Sequence, residues 1–118
     1  MEKKNVIQDK SIDFSVKVIG LYKELVSEKE YVISKQLLRS GTSIGANVEE
    51  AIAGYSKKDF ASKMSIALKE ARETSYWLRL LEKSELTKKQ VTTQMKDADE
   101  IVKILSAIVK TAQQRELN

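Results

Sequence analysis

Gln36-Leu37-Leu38-Arg39-Ser40-Gly41-Thr42-Ser43-Ile44-Gly45-Ala46-Asn47-Val48-Glu49-Glu50 is the stretch from which the fold can be read. Its apolar and small residues Leu37, Gly41, Ile44 and Val48, continued by Ala51 and Tyr55, alternate at steps of 4 and 3. That spacing keeps one side of a helix facing a partner helix along several turns, whereas a half-buried strand needs steps of two. The same repeat runs through Phe60, Met64, Ala67, Ala71, Thr74, Leu78 and Leu81, and again through Val91, Met95, Ala98, Val102, Leu105, Val109 and Ala112.

The joints between these seams carry helix-start and helix-stop chemistry. Ser56-Lys57-Lys58-Asp59 and Thr87-Lys88-Lys89-Gln90 each put a hydroxyl three residues before a carboxyl or amide, the pattern of a capping box. Gly54 suits the end of the second helix, Ser84-Glu85-Leu86 a short third link, and Ser27-Glu28-Lys29-Glu30 the first. Connections this short make neighbours antiparallel. The reading is all-α: one domain over residues 1–118, an up-down-up-down four-helix bundle with helices near 9–28, 31–54, 57–83 and 87–115.

Composition agrees and narrows the chemistry. The 118 residues include no Pro, 4 Gly, and 32% charged and 42% hydrophobic side chains, a soluble helical mixture. Cys and His are absent, which removes disulfides, thiol nucleophiles, the usual zinc sites and imidazole acid-base chemistry. An enzyme would have to work with carboxylates such as Glu49, Glu50 and Glu73, which have Arg39, Lys69 and Arg72 placed to neutralise them. The expectation is therefore a non-catalytic protein without cofactor or metal. Met1-Glu2-Lys3-Lys4-Asn5 has the charge of a signal peptide but no apolar run behind it, and no stretch reaches membrane-span length, so the expected location is the cytoplasm.

The first helix is apolar on too many sides for one bundle. Ile12, Val16, Ile19 and Val26 form one lobe, and Phe14, Val18, Leu21 and Leu25 another on nearly the opposite side. A deeply central helix would explain this. So would self-association, with one lobe in the monomer core and Phe14, Val18, Leu21 and Leu25 against a neighbouring chain, and self-association is the expectation. In the second helix a polar row of Gln36, Ser40, Ser43 and Asn47 runs beside the seam, flanked by Arg39 and Glu50. Mid-helix Ser and Asn compete for backbone hydrogen bonds, so the row is read as structural, with small residues admitting a close neighbour. Arg39 and Glu50 are expected to satisfy each other or a symmetry mate.

Net charge is +4, from 21 basic and 17 acidic residues. Lys89, Lys96, Lys103 and Lys110 recur every seven residues, Lys88 extends the row, and Lys58, Arg72 and Arg79 mark an equivalent flank of the third helix, with Lys57 near its start. Cations spaced along a rod can neutralise successive phosphates, so these nine are the candidate nucleic-acid contacts, on backbone rather than base readout. Asp97, Asp99, Glu100 and Glu73 lie close enough in sequence to dilute the potential, and a solvated helix face is the alternative.

Two blocks carry a family resemblance. Gln36-Leu37, Arg39-Ser40, Ser43-Ile44, Ala46-Asn47 and Glu50 resemble the signature of the four helix bundle protein family that includes proteins encoded in 23S rRNA intervening sequences. Ile66-Ala67-Leu68-Lys69-Glu70-Ala71-Arg72-Glu73 followed by Tyr76-Trp77-Leu78 is similar to its second block. The chain departs from the pattern after Glu50, where Ala51 and Gly54 stand. The resemblance implies a ring-like homopentamer and a relation to the accessory variability determinant protein of diversity-generating retroelements, a basic pentamer that binds nucleic acid and a reverse transcriptase. Expected partners are thus other copies of the chain, RNA or DNA, and a reverse transcriptase or ribonucleoprotein. The alternative is a protein-binding scaffold with no nucleic-acid contact.

Overall fold

Side-chain caps set the helix boundaries in the computed structural model, which describes residues 5–117 apart from the side chain of Glu116. The helices are α1 (Val6–Ser27), α2 (Ile33–Ala53), α3 (Lys57–Ser84) and α4 (Thr92–Leu117), with no strand among the described residues. Asn5 starts α1 by accepting the Gln8 N–H at 3.0 Å, so the helix begins one turn earlier than the expected residue 9. At the other end Lys29 takes the left-handed conformation, φ 65. Its N–H donates to the Val26 carbonyl and that of Glu30 to the Leu25 carbonyl, both at 2.9 Å, the hydrogen bonds of a Schellman turn. The Glu30 carboxylate then accepts from the N–H groups of Ile33 (3.1 Å) and Ser34 (2.7 Å), so one residue closes α1 and opens α2.

The second joint follows the sequence reading, because α2 stops at Gly54 and the Ser56 hydroxyl accepts the Asp59 N–H at 3.0 Å to start α3. The third does not. Glu85 ends α3 in the left-handed region, φ 56, and α4 begins at Thr92 rather than at a Thr87 cap. A carboxylate from α1 competes for that hydroxyl: Thr87 donates to Glu28 at 2.6 Å, and the Lys88 N–H donates to the other Glu28 oxygen at 3.1 Å. The link is accordingly the whole of 85–91, clamped to the end of α1.

Each helix lies against two others, α1 against α2 and α4, and α3 against α2 and α4, with no close backbone approach across either diagonal among the described residues. All four helices meet in one core containing Leu37, Ile44, Met64, Leu78, Ile101 and Leu105. The seams account for most of its walls, but Ile101 and Ala61 are buried beside them, Phe60, Met95, Val102 and Ala112 are only half-buried, and Tyr55 lies beyond α2, fully exposed. On α1 the expectation is reversed. Phe14, Val18, Leu21 and Leu25 are at most 2% exposed and belong to the monomer core, so they cannot face a neighbouring chain. The opposite lobe is open, with Ile12 48%, Val16 64% and Ile19 39% exposed. Gly41 explains how tightly α1 and α2 approach, since a Cβ there would stand 2.8 Å from both Val18 methyls, well inside van der Waals contact.

Candidate nucleic-acid interface

The nine candidate cations are all exposed, and among the described residues none forms an ion pair. Helix geometry groups them unevenly. Lys96, Lys103 and Lys110 share one flank of α4, because seven residues bring a side chain back to nearly the same azimuth. Lys89 and Lys88 do not belong to that row, as both lie in the 85–91 link. Arg72 and Arg79 share a flank of α3, while Lys57 and Lys58 stand in its first turn at the far end of the helix. Lys96 and Lys103 line a shallow cleft with Glu82 of α3 and with Asp99 and Glu100, so this row borders the α3–α4 seam.

Pairing elsewhere determines how much acid dilutes these cations. Lys10 of α1 takes Glu100, and Lys17 takes Asp97 at 2.6 Å, drawing both carboxylates toward the α1–α4 seam. Arg39 of α2 bridges Glu70 at 3.1 Å and Glu73, drawing those two toward α2. Of the four acids expected to offset the rows, only Asp99 lacks an ion-pair partner among the described residues; it sits 3.4 Å from the Ser75 hydroxyl. The α3–α4 cleft therefore keeps Asp99 and Glu82 without an ion-pair partner among the described residues beside Lys96 and Lys103, while Asp97, Glu100 and Glu73 are engaged by other helices.

The polar row of α2 is structural where it is engaged. Ser40 is buried and its hydroxyl meets that of Thr74 on α3 at 2.9 Å, a cross-helix contact inside the core. Ser43 donates to the Arg39 carbonyl at 2.6 Å and Asn47 to the Ser43 carbonyl at 2.9 Å, so both satisfy their own helix. Gln36 is exposed at its edge. Arg39 and Glu50 are not partners: Arg39 reaches α3, and Glu50 meets Lys63 at 3.5 Å. Glu49, Glu50 and Glu73 are likewise dispersed, with Glu49 accepting from Gln8 at 2.9 Å.

Two carboxylates are held below their ordinary range. For Glu73 the chief cause is the Trp77 indole N–H at 3.0 Å, followed by Arg39. For Glu28 it is the Thr87 hydroxyl and then the Lys88 N–H. Arg39 is pushed up, first by its hydrogen bond to Glu73. Trp77 is packed half-buried against the core, edge-on to Tyr76 with centroids 5.2 Å apart, which makes it part of the α2–α3 joint rather than a stacking platform for bases. Glu28 and Glu30, which fix two of the three joints, carry no sequence pattern; a lone acid just outside a helix end is the only signal they leave.

The sequence matches the family described as 23S rRNA-intervening sequence protein over residues 3–107. The chain belongs to that family. Among solved structures, this 23S rRNA-intervening sequence protein family member is similar to a crystal structure from Bacteroides thetaiotaomicron, described as a protein of unknown function from the S23 ribosomal protein family. The two are 52% identical, the match covers 88% of this chain and 98% of that one, and the TM-score is 0.84. The comparison with curated proteins returns no match. Among the described residues, no helix of this family member is long and apolar enough to cross a membrane.

Proposed function

We propose that this chain is a non-catalytic module of the cytoplasm that self-assembles into a ring-like homo-oligomer and binds the backbone of RNA or DNA, alone or within a ribonucleoprotein or polymerase complex. The observation that carries the reading is the set of exposed cations without an ion-pair partner among the described residues, Arg72 and Arg79 along α3 and Lys96, Lys103 and Lys110 along α4, with Glu73, Asp97 and Glu100 engaged by cations of other helices. Ring symmetry repeats such a patch, so weak contacts to successive phosphates reinforce one another. The assembly runs through the outer face of α1, since Ile12, Val16 and Ile19 leave apolar surface open. Five copies are proposed on the family resemblance. Antiparallel neighbours fit the cross-helix pairs, in which rising numbers on α1 meet falling numbers on α4: Lys10 with Glu100, Lys17 with Asp97.

Binding to structured RNA and duplex DNA across a salt series tests the function. The wild type is expected to bind with an affinity that falls steeply with salt, and a Lys96→Glu, Lys103→Glu, Lys110→Glu variant of unchanged helicity is expected to lose it. Absence of binding at low salt would transfer the proposal to a protein-binding scaffold. Light scattering tests the assembly separately, and a monomeric wild type would refute it.

A further inference from the structure

The end of the bundle where α2 passes into α3 holds a cleft of about 650 Å³, between the last turns of α2, the first of α3 and the C-terminal half of α4. Its walls include Ile52, Phe60, Ile108 and Ala112, and the charged side chains that line it are Lys57 and Arg115. No acid lines it among the described residues, whereas three other clefts on the molecule each have at least one. Lys57 and Arg115 have no ion-pair partner among the described residues. Next to Lys57, the N–H groups of Lys57 and Lys58 have no acceptor among the described residues, because the Ser56 cap serves only Asp59 and Phe60.

We propose that this cleft binds a small amphipathic organic anion, with its apolar body against Phe60, Ile108 and Ala112 and its acid group on Lys57 and Arg115. Volume, lining and charge each bear on that class. Small-molecule sites are concave, largely apolar and of a few hundred to about 1,000 Å³, with a few polar groups that orient the ligand. A neutral apolar guest would leave both cations without a partner, and a polyanion gains nothing from an apolar recess. An amphipathic anion satisfies both at once. The cleft shares Lys57 with the nine candidate nucleic-acid contacts, but Arg72, Arg79, Lys96, Lys103 and Lys110 do not line it, so variants at those five positions test nucleic-acid binding without touching this site.

The test uses 8-anilinonaphthalene-1-sulfonate, an aromatic sulfonate that fluoresces in apolar surroundings, on the full-length protein. One saturable site per chain is expected, with displacement by dodecanoate about tenfold stronger than by dodecanol, since only the acid meets the two cations. Ala112→Phe fills the cleft and is expected to abolish the signal. Lys57→Gln with Arg115→Gln, both at exposed positions, is expected to keep dodecanol binding and erase the preference for the acid. Equal displacement by dodecanoate, dodecanol and dodecyltrimethylammonium would overturn the proposal, as would undiminished dye binding in Ala112→Phe of native helicity. Loss of the dye signal as protein concentration and mass rise together would assign the cleft to a second copy and overturn it too.

Discussion

The two sides of α1 have similar composition and opposite fates. Phe14, Val18, Leu21 and Leu25 close the core, while Ile12, Val16 and Ile19, half a turn round the same helix, remain open to solvent. Apolar content does not separate them. The period does: the inner lobe continues to Ile7 and Ser11, both buried, and so repeats the 4 and 3 alternation of the other three seams from Ile7 to Leu25. The outer lobe loses that rhythm at Lys23. A helix is chosen into a bundle by its longest unbroken seam, because only that seam stays in contact along its whole length. A helix start at residue 9 leaves out Ile7, the apolar residue that extends the inner lobe's repeat, and with it the difference between the lobes.

Substitutions on either side can break or sharpen this contrast. The largest effect is expected from Phe14→Ala, which empties the core and should lower unfolding stability by about 3–5 kcal/mol in chemical denaturation. Next comes Gly41→Ala, whose new methyl meets Val18. A loss of about 1–3 kcal/mol is expected, partly recovered when Val18→Ala is added, and the coupling in that double-mutant cycle locates the contact. Gly20 has open space where a Cβ would stand, so Gly20→Ala should raise stability by about 1 kcal/mol through helix propensity alone. The smallest effect is expected for Val16→Ser on the outer face, within about 0.5 kcal/mol of the wild type when measured on the monomer. The same substitution should still weaken self-association in light scattering.

Neither lobe carries a charge, so the contrast should persist across pH while the α2–α3 joint responds. Glu73 binds protons less readily in the folded protein than in the unfolded chain, so its contribution is present above the ordinary glutamate range near pH 4 and is lost as pH falls through its lower folded value. Glu28 at the end of α1 acts in the same direction. In acid titrations followed by circular dichroism, Glu73→Gln is expected to show a smaller drop in stability below about pH 4 than the wild type.

Most of the fold was legible because a helix and its caps depend on residues a few positions apart. The 4 and 3 alternation marks three helices, the broad apolar surface of residues 12–26 marks the first, Ser56 gives the start of α3, and Gly54 the end of α2. Thr87 does not cap α4, for the complementary reason: its hydroxyl has a distant acceptor, Glu28, that no local pattern reveals. The candidate interface divided along the same line. Exposure of the lysine and arginine rows follows from helical period, but which of the nearby acids are paired depends on Lys10, Lys17 and Arg39 reaching across to other helices.

By itself the sequence determined an all-α bundle of four helices, the polarity of each helix face and a basic excess, since all three follow from short-range periodicity and composition. Only the tertiary structure decided which acids are paired, that Glu28 holds Thr87, and that a cation-lined cleft opens between α2, α3 and α4. Those outcomes depend on contacts between residues dozens of positions apart, and such contacts exist only once the helices have packed.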